Sequence, residues 1–127
     1  MPKKILLVED DSAILDIYTT VLKKGGFEVE SCSLGQDVVK KLQKIESKEE
    51  SRPDLVLLDL ILPDMNGMEV LSQVRKNKAA KGITVFILSN QEQSQIEIPA
   101  DAKPDKFIIK ANITPTQLVE LVRKELD

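Results

Sequence analysis

The sequence predicts an α/β domain in which a five-stranded parallel sheet is covered by helices on both faces. Short apolar runs alternate along the chain with segments in which apolar residues recur every three or four positions. Three of these runs are almost continuously apolar, which is typical of strands buried on both faces of a sheet. A regular alternation of strands and helices favours parallel strands joined by helical crossovers.

The first half of the predicted fold holds two strands and two helices. Residues 3–9 form the first strand, and an apolar stripe within residues 14–22 marks the helix after it. This helix is expected to end at Gly25-Gly26, because glycine suits the left-handed backbone of a helix end. Residues 27–32 alternate between polar and apolar, which indicates a strand nearer the sheet edge. A second apolar stripe, within residues 38–45, marks the second helix.

The second half holds three strands and two clear helix starts. Residues 54–62 form a third strand, and a third helix opens at Asn66-Gly67. Residues 83–89 and 106–110 form the fourth and fifth strands. The last helix begins at residues 114–117, where threonine can cap the helix, proline can occupy its first position, and glutamine follows three residues after the cap.

The segment between the fourth and fifth strands fits this pattern least well. Residues 90–105 are polar, contain Pro99 and Pro104, and show little helical periodicity. We therefore expect the fourth helix to be short or irregular.

Composition narrows the classes of function. The 127 residues suffice for one domain, and a net charge of −3 argues against binding to nucleic acid or to an anionic membrane. No apolar run approaches the roughly 18 residues of a membrane-spanning helix. The single cysteine, Cys32, fits a reducing cytoplasm. The absence of histidine excludes histidine-assisted nucleophiles and histidine-ligated metals. Whether the chain is a monomer or a homodimer stays open.

Polar residues occupy the carboxyl ends of four predicted strands. Glu9 and Asp10 follow the first strand, Asp59 lies near the end of the third, Ser89 ends the fourth, and Lys110 ends the fifth. Sheets of this kind place their sites outside the carboxyl ends of the strands, where the strand order reverses. We therefore expect these five side chains to share one pocket.

The residue types in this pocket favour a magnesium-dependent phosphoryl transfer. Neighbouring carboxylates repel one another unless one is protonated or a cation neutralises them, and all-oxygen ligands favour Mg²⁺ over Zn²⁺. Glu9 and Asp10 are the expected metal ligands. Asp59, alone at a central strand end, is the candidate nucleophile, because carboxylates can form an aspartyl phosphate. Ser89 and Lys110 could bind the phosphoryl oxygens.

Four motifs in this order resemble the receiver domain of bacterial response regulators. They are VEDD (8–11), DLVLLDLILPDMNG (54–67), FILSN (86–90) and FIIK (107–110). The resemblance covers essentially the whole chain and implies a single receiver domain over residues 1–127. It also implies a flavodoxin-like, doubly wound sheet with the strand order 2-1-3-4-5.

The resemblance implies specific roles around the metal. Asp59 would accept a phosphoryl group from a sensor histidine kinase or a phosphotransfer protein. Mg²⁺ would be bound directly by Asp10, through water by Glu9, by Asp59, and by the backbone carbonyl of Ile61.

The resemblance also implies a conformational switch. Ser89 corresponds to the switch hydroxyl, Lys110 to the phosphoryl-binding lysine, and Phe107 to the aromatic residue that turns inward on activation. The switched surface would then bind a downstream protein target. On this interpretation the chain is a signalling protein and not an enzyme, and the only reaction that it catalyses is its own slow dephosphorylation. It is also expected to make no direct contact with nucleic acid or membrane.

Two other readings of the sequence stay open. The chain could be a binding module that kept the fold but no longer responds to phosphorylation, which Ala111 favours because the family commonly has proline there. It could also be an enzyme on the same scaffold, which ranks third. The acidic loop after the first strand would repel a phosphate-bearing cofactor. Moreover, Leu60 and Ile61 follow Asp59 where a phosphatase would want a second acid.

Overall fold

A computed structural model describes residues 2–90, 98 and 100–127, and its five strands form one parallel sheet. The strands are β1 (Lys4–Val8), β2 (Glu28–Cys32), β3 (Leu55–Asp59), β4 (Thr84–Ser89) and β5 (Lys106–Ile109). Their order is β2-β1-β3-β4-β5, and every neighbouring pair is parallel. The predicted flavodoxin-like α/β class and strand order are confirmed, as is the position of β2 at an edge.

The described residues contain four α-helices. They are α1 (Ser12–Lys24), α2 (Gly35–Glu46), α3 (Gly67–Lys76) and α4 (Pro115–Leu126), and a 3₁₀ helix spans Lys110–Asn112. The short or irregular helix predicted between β4 and β5 falls mainly on residues 91–97 and 99, which lie outside the described residues. The last helix predicted from the sequence, which begins at residues 114–117, is therefore α4.

Local sequence sets the helix ends. The side chains of Asp11, Asn66 and Thr114 accept hydrogen bonds from backbone N–H groups in the first turns of α1, α3 and α4, and Gln117 completes a capping box with Thr114. Helix α1 ends at Lys24, and Gly26 has a φ of +96°, a value that disfavours residues with a Cβ. The predicted end of α1 and the predicted starts of α3 and α4 are confirmed.

Each strand contributes to two cores because successive side chains point to opposite faces of the sheet. In β1, Ile5 and Leu7 pack on the face covered by α1 and α4, whereas Leu6 and Val8 pack on the face covered by α2 and α3. All four are at most 3% exposed. The buried strands give the carboxyl edge of the sheet a rigid base. Within the described part of the chain, no helix is both long and apolar enough to cross a membrane.

Candidate functional site

Three carboxylates converge at the carboxyl edge of the sheet. Glu9 and Asp10 follow β1, Asp59 ends the neighbouring strand β3, and one oxygen of each lies within 4.8 Å of one oxygen of the others. Glu9 and Asp59 are only 1% and 8% exposed, whereas Asp10 is open to solvent. The arrangement pairs two buried acidic groups with one that an approaching ligand can reach.

Lys110 directly follows the edge strand β5, and its side chain extends to this cluster. Its Nζ lies 2.8 Å from Glu9 Oε1 and 3.3 Å from Asp59 Oδ2. The lysine side chain is 11% exposed and begins the 3₁₀ helix that follows β5. The structure therefore brings together Glu9, Asp10, Asp59 and Lys110, four of the residues that the sequence placed at strand ends.

The charges in this cluster do not balance. Burial, and then the neighbouring Asp59, raise the pKa of Glu9 above its ordinary value despite the contact with Lys110. Burial by itself lowers the pKa of Lys110, but Glu9 and Asp59 outweigh that effect and raise it overall. Three carboxylates face one ammonium group, so the site favours an additional cation. Oxygen ligands without histidine or cysteine suit a hard cation such as Mg²⁺.

Glu9 is held in place by backbone as well as by Lys110. Its Oε2 accepts hydrogen bonds from the backbone N–H groups of Asp10 at 3.0 Å and Asp11 at 3.3 Å. Both oxygens of this buried carboxylate are therefore occupied, which fixes its orientation. The carboxylate of Asp10, by contrast, is exposed and open to an approaching ligand.

The connection from β3 to α3 turns sharply beside Asp59. The predicted third strand continued to Leu62, but β3 ends at Asp59, and Ile61 is 62% exposed while Leu60 and Leu62 are buried. The apolar run is longer than the strand because these leucines pack into the core from a loop. The backbone N–H of Ile61 lies 3.4 Å from Asp59 Oδ1, so the loop passes directly over the carboxylate.

Gly67 allows α3 to begin close to β3. Its backbone N–H donates to the Leu60 carbonyl at 2.6 Å, and a Cβ at this position would collide with the backbone oxygen of Asp59. The sequence indicated Asn66-Gly67 only as a helix start. The contribution of Gly67 to the site was missed, although a glycine directly after a helix cap is a signal of close backbone approach.

Ser89 and Phe107 lie on the strands next to the cluster. Ser89 is 2% exposed and follows Leu88, the register partner of Asp59. Phe107 is half-buried and packs against the core on the α2 and α3 face. Their positions are compatible with the predicted switch, and their roles stay predictions.

The model of the family described as "Response regulator receiver domain" matches residues 5–123. The chain belongs to this family. Its members are signalling proteins rather than classical enzymes. A curated relative, the DNA-binding response regulator MtrA of Mycolicibacterium paratuberculosis, is 33% identical over 127 residues, covering 99% of this chain and 52% of the relative. The receiver chain thus spans about half the length of this relative.

Solved structures share the fold. The phosphorylated cyanobacterial phytochrome response regulator RcpA is 32% identical, with a TM-score of 0.80 over 98% of this chain and 91% of its own. The Mn²⁺-bound form of the response regulator Rcp1 is 28% identical, with a TM-score of 0.82 over 99% of this chain and 96% of its own. Receivers similar to this one have therefore been solved with a phosphoryl group and with a divalent cation.

One expectation about partners is wrong. The composition led us to exclude direct nucleic-acid binding, but the MtrA relatives are named DNA-binding response regulators. The net charge of −3 describes this chain alone, whereas those relatives are about twice as long. The charge of a receiver therefore says nothing about what the rest of such a protein binds.

Proposed function

We propose that this receiver domain is the phosphoacceptor of a two-component system, with Asp59 taking a phosphoryl group from a sensor histidine kinase. The observation that carries the proposal is the contact between a buried aspartate at a central strand end and Lys110, with Glu9 and Asp10 beside them. This set combines a nucleophile, a fixed positive charge and a place for a divalent cation.

Mg²⁺ is the proposed cofactor, and the residues present fit it. Asp10 and Asp59 would bind it directly, Glu9 through water, and Ile61 through its backbone carbonyl. Glu9 suits an indirect role because it is the more deeply buried and both its oxygens accept hydrogen bonds of 2.8–3.3 Å. The contacts of Asp59 with Lys110 and Ile61 are longer, at 3.3 and 3.4 Å. When bound, the ion neutralises charge on the phosphoryl oxygens and offsets repulsion among the carboxylates.

The transfer needs little covalent help from the protein. A carboxylate oxygen of Asp59 forms the new bond to phosphorus, while the phosphorus–nitrogen bond to the kinase histidine breaks and its electron pair returns to the imidazole. Lys110 stabilises the charge on the phosphoryl oxygens and orients the product. The acyl phosphate is then lost slowly by hydrolysis, and no external substrate is turned over.

Phosphorylation would switch an interaction surface through Ser89 and Lys110. Both would gain a charged partner, and Phe107, on β5, would change its packing in response. The names of the MtrA relatives suggest that DNA binding is one output under this kind of control.

The test is incubation with acetyl phosphate and Mg²⁺, followed by intact mass spectrometry. We expect the mass of one phosphoryl group to be added to the wild type, and the adduct to be labile to hydroxylamine. Asp59→Asn should stay unmodified, whereas the matched control Asp54→Asn, at the opposite end of β3, should react normally. A wild type that gains no mass would contradict the proposal.

A receiver that no longer switches is the second candidate. Ala111 after Lys110 favours it, since the resembling family commonly has proline there. This candidate predicts Mg²⁺ binding without any change in partner affinity when beryllofluoride is added. A beryllofluoride-dependent change in affinity would exclude it.

A further inference from the structure

Helix α2 begins without a cap of its own. The residue before it, Leu34, has no side-chain acceptor, and the first N–H groups of a helix have no partner within the helix. Asp64, from the loop between β3 and α3, supplies the missing acceptors. Its Oδ1 accepts from the Gly35 N–H at 2.8 Å, and its Oδ2 accepts from the Gln36 N–H at 2.9 Å. A carboxylate 29 residues away thus caps the helix.

The contact between this loop and α2 is reinforced by packing. A Cβ at Gly35 would collide with the Met65 side chain and would press on Val70. Position 35 is therefore glycine because Met65 packs directly on the helix start. We call Asp64, Met65 and Gly35 the latch.

The latch holds the exposed tip of the loop between β3 and α3. At its base, Gly67 bonds to Leu60, and Ile61 forms a backbone bridge with Asn66. Between these points Leu62 is buried in the core, whereas Pro63 and Asp64 are exposed. The backbone N–H groups of Gln36 and Gly35 hold the pKa of Asp64 below its ordinary value, so its carboxylate stays ionised at neutral pH.

We propose that Asp64 is a positioning residue for the metal site, which acts by fixing the loop that carries Ile61. Ile61 lies two residues after Asp59, and its N–H touches the Asp59 carboxylate, so a shift of this loop moves both groups. Asp64 itself contacts the start of α2 and is not one of the proposed Mg²⁺ ligands. The inference rests on the proposed function, because it concerns the proposed Mg²⁺ ligands.

The experiment measures Mg²⁺ affinity by isothermal titration calorimetry for the 127-residue chain and three variants. Asp64→Ala removes both acceptors. Asp64→Asn removes the charge but leaves one oxygen that can accept. Asn77→Ala is the matched control, because Asn77 makes comparable side-chain bonds to Leu42, Ala79 and Ala80 at the end of α3 remote from the site.

We expect the dissociation constant for Mg²⁺ to rise about tenfold in Asp64→Ala, the lower end of effects reported for groups that orient metal ligands. Asp64→Asn should lie between Asp64→Ala and the wild type, and Asn77→Ala should bind like the wild type. Thermal unfolding should show all variants folded at the titration temperature.

Three results would overturn the inference. Equal Mg²⁺ affinity in Asp64→Ala and wild type would show that the hydrogen bonds of Asp64 do not position the metal site. A loss in Asp64→Asn larger than in Asp64→Ala would show that the effect does not follow the number of hydrogen bonds that Asp64 accepts. Equal losses in Asp64→Ala and Asn77→Ala would assign it to general destabilisation. A wild type that does not bind Mg²⁺ would instead remove the proposed function, and the inference with it.

Discussion

Two groups of charged side chains lie at different places on the same sheet and differ in charge balance. The site cluster consists of Glu9, Asp10, Asp59 and Lys110, with three carboxylates to one ammonium group. The edge cluster, beside the edge strand β2, consists of Lys4, Glu30, Lys41, Lys44 and Glu50. Each of its carboxylates pairs with a lysine, and Glu30 and Glu50 keep 40% and 32% of their side chains exposed.

The difference distinguishes a cluster with buried excess negative charge from a cluster in which each carboxylate is partly hydrated and paired. A hydrated cluster in which every carboxylate has a lysine partner costs little to form and stabilises little. An unbalanced, buried cluster destabilises the protein unless a cation joins it. Excess buried charge, more than the number of charged residues, therefore marks the site.

The largest expected loss of stability comes from removing Lys110, and the equivalent substitution of Lys41 in the edge cluster is the comparison. Lys110→Met leaves Glu9 and Asp59 buried without a positive partner and should lower the free energy of unfolding by about 3 kcal/mol in metal-free buffer. Lys41→Met, its match in the edge cluster, should cost less than about 1 kcal/mol because the partner carboxylates are hydrated. Urea denaturation of both variants measures the contrast. Similar losses would mean that the clusters do not differ as proposed.

Mg²⁺ should stabilise the site cluster alone. At a concentration a hundredfold above its dissociation constant, the ion should raise the free energy of unfolding of the wild type by about 2.7 kcal/mol. Asp10→Asn should lose most of this gain, and because Asp10 is exposed the substitution should leave the metal-free stability nearly unchanged. Asp16→Asn, at an exposed position on α1, is the control and should keep the full gain. A gain that survives in Asp10→Asn would place the ion elsewhere.

The smallest expected effect is the pH dependence of the edge cluster. Hydrogen bonds from Lys41 and then Lys4 lower the pKa of Glu30 in the folded state, although partial burial opposes them. The stabilisation is therefore fully present above the unfolded pKa of about 4.3 and is lost as the pH falls through the lower folded value.

Unfolding free energies of wild type and Glu30→Gln should differ by a few tenths of a kcal/mol near about pH 6 and converge near about pH 3. Glu28→Gln, at an exposed position on the same strand, is the control for removing a carboxylate from β2. A difference that grows in acid would reverse the sign derived for Glu30.

Most of the fold could be predicted because it depends on local patterns. The three buried strands are continuously apolar, and the starts of α1, α3 and α4 carry their own caps at Asp11, Asn66 and Thr114. The end of β3 was placed three residues too late. Leu60 and Leu62 are buried in a loop, and apolarity alone does not distinguish a buried loop from a buried strand.

The convergence of Glu9, Asp10, Asp59 and Lys110 could be predicted because parallel strands bring their carboxyl ends to one edge. The hydrogen bonds of Asp64 to the start of α2 could not be predicted from the sequence. Read along the chain, Asp64 looks like a turn residue, and its partners Gly35 and Gln36 lie 29 and 28 residues away. Contacts between loops depend on how helices sit on the sheet, which no local pattern encodes.

The bond between Lys110 and Glu9 joins residues 101 positions apart, so nearly the whole chain must be in place before the site exists. During synthesis, β1 and β3 leave the ribosome well before residue 110, and their carboxylates then lack the lysine. Proteins rich in contacts this distant in sequence fold slowly. The proposed phosphoacceptor site is therefore complete only after β5 has joined the sheet, so a chain that ends before residue 110 should not accept a phosphoryl group.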